Sequence, residues 1–345
     1  MWIPEKGPVS EGAGRIEAGA AEMTTCMDTE QRCFVHSALL YRSPREYLGF
    51  VVRFVIDGLA SDEPVMVAVP GETLALLRES LNEIRPSNGT ELQLFDSSEV
   101  ARNPSRFLAL EASFAEKYPD QRVRIVSQLV WPGRTVDESL ACVQHEALVN
   151  EALEQHDVMG LCLYDASGLD DDVLDAARAT HPLLWKCGSV YRSAEYAPDA
   201  VLARCNQPLP PNPRAMTYTV MTSSDLRPAR SFAVDYAGWA GLSRDNVEEL
   251  QLIATELATN SLEYTEGACQ LAFWRHNEHV VCEARDKGRF DDPLVGRRHP
   301  GADGTASRGL FLVNAMADLV RTHTTASGTT IQAYLRMEPS RGPSG

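Results

Sequence analysis

Basic residues are scarce in this chain of 345 residues, where 32 Lys and Arg stand against 48 Asp and Glu and give a formal net charge of −16. Direct nucleic-acid binding relies on clustered Lys and Arg, so this charge balance argues against it. Long apolar runs are also missing, because the best of them, such as Pro64 to Pro70, are strand-sized and a membrane helix needs ~20 residues. The sequence therefore predicts a cytoplasmic protein with no direct nucleic-acid partner and no membrane partner.

Three further signatures are absent. The eight Cys form no C-x-x-C pair, and most lie in apolar patterns, so we expect reduced thiols that pack as small hydrophobes. No G-x-x-x-x-G-K-[ST] loop occurs, which argues against nucleotide hydrolysis in the first half of the chain. The opening Met1 to Thr25 has no basic start followed by an apolar run, so it does not fit a signal peptide. We expect disordered tails at residues 1–33 and 339–345.

The composition, with 44% hydrophobic and 23% charged residues, is typical of a soluble globular protein, and the length predicts two domains. Four Pro in the nine residues Cys205 to Pro213 remove helix donors and stiffen the chain, which marks a boundary. We therefore predict a first domain at residues 34–205, a linker at 206–215 and a second domain at 216–338.

Apolar strand-like runs alternate with helical patterns before the linker. Alternation of this kind predicts an α/β domain, with a parallel sheet covered by helices. The strand-like runs are Val65 to Val69, Leu92 to Phe95, Val123 to Val126 and Val158 to Tyr164, and the helical patterns are Pro44 to Leu59, Glu72 to Ile84, Pro104 to Tyr118, Val136 to Gln155 and Asp170 to Thr180.

The pattern changes after the linker, where a strand and two helices precede two further strands, a third helix and a hairpin. This order predicts an α+β two-layer sandwich. The strands are Met216 to Met221, Gln270 to Arg275, His279 to Arg285, Leu319 to Thr325 and Thr329 to Met337, and the helices are Leu226 to Trp239, Asp245 to Tyr264 with Ser243 as N-cap, and a helix after Ser307 that runs to about Ala317.

Glu256 and Asn260 stand four residues apart on the second of these helices, so both side chains point from the same face. An Asn carbonyl oxygen suits Mg²⁺, and a nearby Glu can accept a proton from an attacking hydroxyl. Taken alone, the pair is more typical of a polar helix edge.

Three motifs follow downstream. Asp286 comes just past a strand, with Gly288 two residues on, and an Asp in this place can accept a hydrogen bond from an adenine amino group. Gly309 lies in the first turn of a helix, where free amides favour a phosphate, and Arg308 beside it can offer a guanidinium. Thr330 begins the last strand, where its hydroxyl can reach the edge of a base.

The order E-x-x-x-N, D-x-G, G-L-x-L and G-T-T over some 75 residues resembles the GHKL ATP-binding fold of histidine kinases, gyrase-type ATPases and anti-sigma-factor serine kinases. The phrase I-A-T-E-L-A-T-N, from Ile253 to Asn260, is most similar to the anti-sigma-factor serine kinases of the RsbW type. The resemblance implies ATP and Mg²⁺ as cofactors. It also implies Glu256 as general base, Asn260 on Mg²⁺, Asp286 and Thr330 at the adenine, and Gly288, Gly309 and Leu310 in the nucleotide pocket.

The sequence departs from this family in two places. Arg289 stands where many members have a second Gly, and Ser307 and Arg308 replace the glycine-richer end of the segment that closes over the nucleotide. ATP binding without turnover is therefore an alternative to catalysis.

The first domain carries polar residues among apolar elements, several of them just after strands, where ligand crevices of parallel sheets form. The phrases H-S-A-L-L-Y from His36, W-P-G-R from Trp131, H-E-A-L-V-N from His145, C-L-Y-D from Cys162 and T-H-P from Thr180 together resemble the MEDS sensory domain over about residues 34–205. The resemblance implies sensing of a small molecule or a protein partner, and for each His a hydrogen-bonded structural role is the alternative. The candidate sensory residues are His36, Tyr41, Trp131, His145, Glu146, Tyr164, Asp165 and His181.

Three functions compete. The first, which we favour, is an anti-sigma factor in stress-response transcription that holds a sigma factor and uses Mg-ATP to phosphorylate a Ser or Thr of a STAS-type anti-anti-sigma partner, with the first domain as input. The second is a sensor histidine kinase with His145 as phosphoacceptor, which the α/β context of that residue disfavours. The third is a non-catalytic binding module that uses ATP only to set its conformation. The oligomeric state is open, with a homodimer as one option.

Overall fold

The structure, a computed structural model, describes residues 33–82, 89–186, 189–289, 291–300 and 308–337. The two expected tails, apart from Cys33, lie outside this part of the chain, and so does Ser307. The described residues form one sheet before residues 206–215 and one after them, and helices pack against both. Within these ranges, no helix combines the length and the apolar character needed to cross a membrane.

Strands and helices alternate through the described part of the first domain. The strands are β1 Phe34–Tyr41, β2 Val65–Val69, β3 Leu92–Asp96, β4 Val123–Ser127, β5 Val158–Asp165, β6 Leu183–Lys186 and β7 Ser189–Arg192. The helices are α1 Pro44–Ala60, α2 Gly71–Leu81, α3 Ser97–Val100, α4 Pro104–Glu116, α5 Val136–Ala152, α6 Asp171–Thr180 and α7 Pro198–Cys205. The elements expected from the sequence are present within a few residues of their predicted ends, and β1, β6, β7, α3 and α7 are additional.

The strands of this sheet lie in the order β3-β2-β4-β5-β1-β6-β7. Neighbours are parallel except β6 and β7, which pair antiparallel, so the expectation of a purely parallel sheet is wrong at one edge. Only residues 187–188 separate β6 from β7. A connection this short can join only antiparallel strands, because a parallel pair needs a crossover of a dozen or more residues.

Both faces of the first sheet are covered by helices. Side chains alternate along each strand, so Val67 belongs to the same core as Val51 of α1, while its neighbour Met66 belongs to the same core as Phe107 of α4. Helices α1 and α2 thus cover one face, and α4, α5 and α6 cover the other. Helix α5 lies against the centre of the sheet and carries residues of a candidate site.

The second domain follows the predicted order of elements. Its strands are β8 Met216–Val220, β9 Cys269–His276, β10 His279–Asp286, β11 Leu319–Thr325 and β12 Gly328–Arg336, and its helices are α8 Leu226–Ala240, α9 Arg244–Tyr264 and α10 Arg308–Met316. The sheet is antiparallel, in the order β11-β12-β10-β9-β8. Ser243 caps α9 as predicted, since its side chain accepts a hydrogen bond from the Asn246 amide. The three helices pack on one face of the sheet.

The second face of this sheet packs against the first domain. Trp274 and Tyr334 are buried there together with Ala141 of α5, and Arg321 of β11 pairs with Asp137 of α5 at 2.9 Å. The second domain is therefore a two-layer sandwich, as predicted. In the whole chain, however, α5 of the first domain covers part of the face that a lone sandwich would expose.

Most of the described cysteines behave as small buried hydrophobes. Cys142, Cys162, Cys205, Cys269 and Cys282 are buried and have free thiols. Burial raises the pKa of Cys142 to about 12, so this thiol is protonated at neutral pH. Cys33 is instead disulfide-bonded, and the expectation of reduced thiols is wrong at that position.

Candidate functional site

Helix α9 presents Glu256 and Asn260 to the first turn of α10. Helix α10 begins at Arg308, and a Cβ atom built on Gly309 would come within 2.6 Å of Glu256 Oε2 and 3.1 Å of both amide atoms of Asn260. Glycine alone allows this approach without displacing those groups. The first described turn of α10, whose backbone amides have no helical partner among the described residues, therefore faces a carboxylate and an amide.

The Nδ2 atom of the half-buried Asn260 is itself buried. It donates no hydrogen bond to any described residue, and leaving a buried N–H donor unpaired costs free energy. The amide stands beside a cavity and a helix N-terminus. An acceptor such as a phosphate oxygen would satisfy the Nδ2 donor, while Oδ1 of the same amide is the atom that Mg²⁺ would take.

A cavity of about 230 Å³ opens between α9, α10 and the sheet. Asp286, the last residue of β10, lies in its wall and accepts hydrogen bonds from Ser261 Oγ at 2.5 Å and from the Gly288 amide at 2.8 Å. Gly288 packs against Thr265, and a Cβ atom there would clash with that side chain. Other residues that line the cavity are Leu257, Asn260, Tyr264, Val295, Leu310, Thr329 and Ile331.

Of the two adjacent threonines of β12, Thr329 lines the cavity and Thr330 does not. Thr329 pairs with Asp286 across the sheet, and its hydroxyl donates to the Gly288 carbonyl at 2.8 Å. Side chains alternate along a strand, so Thr330 lies on the opposite face, the one that carries Tyr334. Thr330, the residue predicted to contact adenine, is thus not among the described residues that line this cavity, whereas its neighbour Thr329 is.

Two arginines stand at the edge of this site. Arg308 is exposed in the first turn of α10 and is not among the described residues that line the cavity. Arg289 does line the cavity, and its Nε lies 3.1 Å from Asp291 Oδ1. A cation therefore stands at the position where the resembled family often has glycine.

Residues 291–300 connect this site to the first domain. Arg297 is buried, and its guanidinium donates hydrogen bonds to Ser105 Oγ at 2.5 Å and to Gln144 Oε1 at 2.9 Å. Burial lowers the pKa of Arg297 to about 10, so it is still a cation at neutral pH, although its two hydrogen-bond partners are neutral. The sequence analysis did not single out this contact.

Helix α10 also contacts the first domain directly. Asn103, the residue before α4, donates a side-chain hydrogen bond to the Asn314 carbonyl of α10 at 2.9 Å. The Asn314 side chain donates in turn to the Gly296 carbonyl at 3.0 Å. The helix that faces Glu256 and Asn260 is therefore tied both to residues 291–300 and to α4.

A second site lies inside the first domain, between the sheet and α5. His36 of β1, Glu146 of α5, Cys162 of β5 and His181 after α6 are buried, and their metal-ligating atoms all lie within 4.8 Å of one another. His36 Nε2 is 3.3 Å from Cys162 Sγ and 3.4 Å from Glu146 Oε2. The same Glu146 oxygen is 3.4 Å from His181 Nε2. We call these four residues the buried cluster.

The pairing of β1 with β5 brings two members of the buried cluster together. His36 stands opposite Gly160, and Ala38 stands opposite Cys162, so His36 and Cys162 project from the same face two positions apart. Gly160 lies beside the His36 ring, whose Cδ2 would be in ordinary contact, at 3.6 Å, with an added Cβ. Burial lowers the pKa of His36 to about 4, which makes the ring neutral at neutral pH.

The candidate sensory residues fall into separate groups. His36, Glu146 and His181 meet in the buried cluster, and the Tyr164 ring packs edge-on at 5.6 Å from the His181 ring. His145 is buried elsewhere, with Nε2 at 3.2 Å from Glu111 Oε2. Tyr41, Trp131 and Asp165 lie at or just after the carboxyl ends of β1, β4 and β5, outside the cluster.

The sequence analysis missed two residues of these groups. Cys162 was not a candidate, although it shares a face of β5 with Tyr164, and Glu111 was not considered as the partner of His145. The spacing of Cys162 and Tyr164, two residues apart in an apolar strand, was the available signal that both face one side of the sheet. It indicates a contact of Cys162 with His36 only once β1 is known to lie beside β5.

Two family models match the chain, and they cover different parts of it. Residues 35–182 match MEDS, the MEthanogen/methylotroph, DcmR Sensory domain. Residues 220–335 match the histidine kinase-like ATPase domain. Both resemblances drawn from the sequence motifs are thereby confirmed. No curated protein matches the chain.

Three solved structures illustrate what parts of the chain are similar to. The SiaB-SiaC complex from Pseudomonas aeruginosa is 14% identical with a TM-score of 0.30, covering 35% of this chain and 90% of that one. The RsbU and RsbW domains of Rv1364c from Mycobacterium tuberculosis are 16% identical with a TM-score of 0.29, covering 62% and 51%. The histidine kinase AdeS from Acinetobacter baumannii is 10% identical with a TM-score of 0.24, covering 36% and 70%.

Proposed function

We propose that this chain is an anti-sigma regulator whose second domain binds a sigma factor and uses Mg-ATP to phosphorylate a Ser or Thr of a STAS-type anti-anti-sigma protein. The observation that carries the proposal is the meeting of Glu256, Asn260 and Gly309 beside the cavity. A carboxylate, an unsatisfied amide and a helix N-terminus are groups that phosphoryl transfer from a metal-bound nucleotide uses. The match of residues 220–335 to an ATPase domain supports the nucleotide.

Each residue has a distinct part in this proposal. Asn260 would hold Mg²⁺, and when bound the ion supplies neutralisation of the charge on the transferred phosphoryl group. Glu256 accepts the proton of the attacking Ser or Thr hydroxyl. Asp286, which keeps acceptor sites beyond its two hydrogen bonds, orients the adenine amino group. The free amides at the start of α10 bind phosphate oxygens, with Arg308 beside them.

The first domain would act as the input to this site. It contacts the elements beside the site, among other places through Arg297 in residues 291–300 and through Asn103, which bonds α10. A small molecule or a protein that binds two states of the first domain unequally would change the position of these contacts. The ligand of the input domain then regulates how the second domain binds ATP and its protein partners.

A module that binds ATP without transferring phosphate is the second candidate. Arg289 favours it, because a cation paired with Asp291 stands at the cavity wall. A histidine kinase that uses His145 is disfavoured by the structure. His145 is 1% exposed and its Nδ1 lies 3.1 Å from the Pro104 carbonyl, so neither ring nitrogen can reach a phosphoryl donor.

Phosphate transfer decides between the two candidates. Tagged full-length protein is purified from its native host, its partners are identified by mass spectrometry, and the STAS-type protein among them is incubated with the chain and ATP labelled at the γ-phosphate. We expect label on a Ser or Thr of that partner. Glu256→Gln should lower the rate by roughly 10²–10⁴-fold, the range for a positioned general base, with ATP affinity nearly unchanged.

The matched control for this experiment is Glu263→Gln. Glu263 is exposed near the end of the same helix and should be dispensable for the rate. A fully active Glu256→Gln protein would remove the base assignment. ATP binding without transfer to any recovered partner would favour the non-catalytic module.

A further inference from the structure

The buried cluster of the first domain has the composition and the geometry of a metal site. We propose that His36, Glu146, Cys162 and His181 together bind one Zn²⁺ ion. Two imidazoles, a carboxylate and a thiolate are ligands that this borderline-soft ion accepts. This inference concerns the first domain and does not depend on the function proposed for the second.

The spacing of the ligand atoms fits tetrahedral coordination. Bonds of about 2.0–2.3 Å at the tetrahedral angle place neighbouring ligand atoms roughly 3.3–3.8 Å apart. His36 Nε2 lies 3.3 Å from Cys162 Sγ and 3.4 Å from Glu146 Oε2, and His181 Nε2 lies 3.4 Å from the same oxygen. These three separations fall within the tetrahedral range, and all the ligand atoms lie within 4.8 Å of one another.

Two of the four ligand atoms are buried without hydrogen-bond partners. Glu146 Oε2 and His181 Nε2 form no hydrogen bond with any described residue, although their side chains are 2% and 0% exposed. Their separation of 3.4 Å is longer than the range of an N–H···O hydrogen bond. Buried polar atoms of a folded protein are nearly always paired, so these two atoms need a partner that a cation would supply.

The orientation of the His36 ring is set by a neighbouring amide. Asn150 donates through Nδ2 to the carbonyls of Glu146, Ala147 and Thr180, which turns its Oδ1 towards His36 Nδ1 at 3.1 Å. An amide oxygen can only accept, so Nδ1 carries the hydrogen. In the neutral ring the lone pair is then on Nε2, inside the cluster.

The His181 ring is oriented in the same way. Its Nδ1 lies 2.8 Å from the Ala177 carbonyl, which can only accept. The Nε2 atom of His181 therefore faces the Glu146 carboxylate at 3.4 Å, as does that of His36. In protein metal sites, a ligand His usually donates its other ring N–H to a nearby acceptor such as a carbonyl, which fixes the orientation of the ring.

Four protein ligands leave no position open for substrate. A closed tetrahedral set is typical of structural zinc, while catalytic zinc keeps a site for water. Because β1, β5, α5 and the residue after α6 each supply one ligand, the ion would join four elements that are distant in sequence. Loss of the metal should therefore loosen the first domain around α5.

The test begins with metal analysis of the full-length protein by inductively coupled plasma mass spectrometry, where we expect close to one Zn per chain. The protein is then stripped with a chelator and loaded with Co²⁺. We expect the intense visible absorption of tetrahedral Co²⁺ and a near-ultraviolet band of thiolate-to-cobalt charge transfer. Chelation should also lower the melting temperature, and Zn²⁺ should restore it.

Two variants assign the ligands. Cys162→Ser should abolish the charge-transfer band, whereas Cys142→Ser, an equally buried thiol on α5 outside the cluster, should keep it. His181→Asn should weaken Co²⁺ binding by more than about 100-fold. Loss of a residue that only hydrogen-bonds to a metal ligand costs up to about 100-fold, and loss of a ligand itself should cost more. Wild-type protein without stoichiometric metal and without a Co²⁺ spectrum would overturn the proposal even if a variant fails to fold. An unchanged charge-transfer band in Cys162→Ser would also overturn it.

Discussion

Gly309 determines how closely α10 approaches α9. In Gly309→Ala the new methyl group would lie within 2.6 Å of Glu256 Oε2 and 3.1 Å of the Asn260 amide. The end of the Glu256 side chain can rotate away, so we expect the melting temperature to change by only a few degrees. The displaced carboxylate and amide should lower Mg-ATP affinity about tenfold or more, since overpacking of this kind costs about 1–3 kcal/mol. Calorimetric titration of the full-length variant measures it.

Gly238 provides the matched control for this substitution. It lies in α8, and no atom stands within 4 Å of a Cβ atom built on it. Gly238→Ala should leave Mg-ATP affinity unchanged and stabilise the helix by about 0.5–1 kcal/mol. If Gly309→Ala bound Mg-ATP as tightly as Gly238→Ala does, the close contact of the two helices would have no role in nucleotide binding.

Thr329 and Cys162 are two residues whose place in a site could not be predicted from the sequence. The G-T-T motif correctly indicates that the start of β12 lies at the cavity. Which of two adjacent Thr faces it depends on the register of β12 against β10, and this selects Thr329 over Thr330. Cys162 meets His36 across 126 residues of chain, and no local pattern reports so distant a contact.

Helix α5 connects the two candidate sites at the scale of an element. Gln144 accepts a hydrogen bond from Arg297 of the second domain, and Glu146 belongs to the buried cluster. Neighbouring helix residues are rotated by about 100° from one another, so a single helix can contact both sites on different faces. We expect a displacement of α5 at one site to change the position of its residues at the other site.

Arg297 is the contact whose loss should separate residues 291–300 from α5. In Arg297→Met the hydrogen bonds to Ser105 and Gln144 are lost, while the aliphatic part of the side chain is kept. We expect amides of residues 291–300 to exchange about tenfold faster or more, because two hydrogen bonds contribute about 1–3 kcal/mol together. Hydrogen–deuterium exchange with mass spectrometry on the full-length protein measures this.

Arg298 provides the comparison within the same segment. It is exposed, and it donates a hydrogen bond at the surface to the Glu151 carbonyl at 3.3 Å. Arg298→Met should leave the exchange rates of residues 291–300 within about twofold, as expected of a surface substitution. Equal exchange in both variants would show that the buried guanidinium does not hold this segment to the first domain.

The elements differ in how well the sequence predicts them. The periodic helices α8 and α9 and the apolar strands β2, β4 and β5 follow directly from pattern. Strand β1 does not, because His36 and Ser37 interrupt its apolar run, and both are accommodated in the interior by partners on β5 and α5. The Ser37 hydroxyl, for example, donates to the Gly160 carbonyl at 2.9 Å. Antiparallel pairing of β6 and β7 depends on their short connection, which the sequence analysis did not consider.

At the scale of the whole molecule the two domains share a buried face. Trp274 and Tyr334 of the second sheet pack with Ala141 of α5. The continuous apolar runs at 271–274 and 280–282 were an available signal, since a strand buried on one face alternates and a strand buried on both does not. The Pro-rich linker indicates two domains correctly, but it carries no information about how they pack.

The central claim is that the cavity of the second domain, as it stands in the full chain, binds ATP with Mg²⁺ held by Asn260. Calorimetric titration of full-length protein with ATP, with and without Mg²⁺, tests it most directly. We predict that one ATP binds per chain, that Mg²⁺ tightens binding, and that Asn260→Ala abolishes this metal-dependent gain. Asn246→Ala, at a half-buried position near the start of the same helix where the amide donates to the Arg336 carbonyl, should retain it. No ATP binding by the wild-type chain, or an unchanged Mg-ATP affinity in Asn260→Ala, would contradict the account.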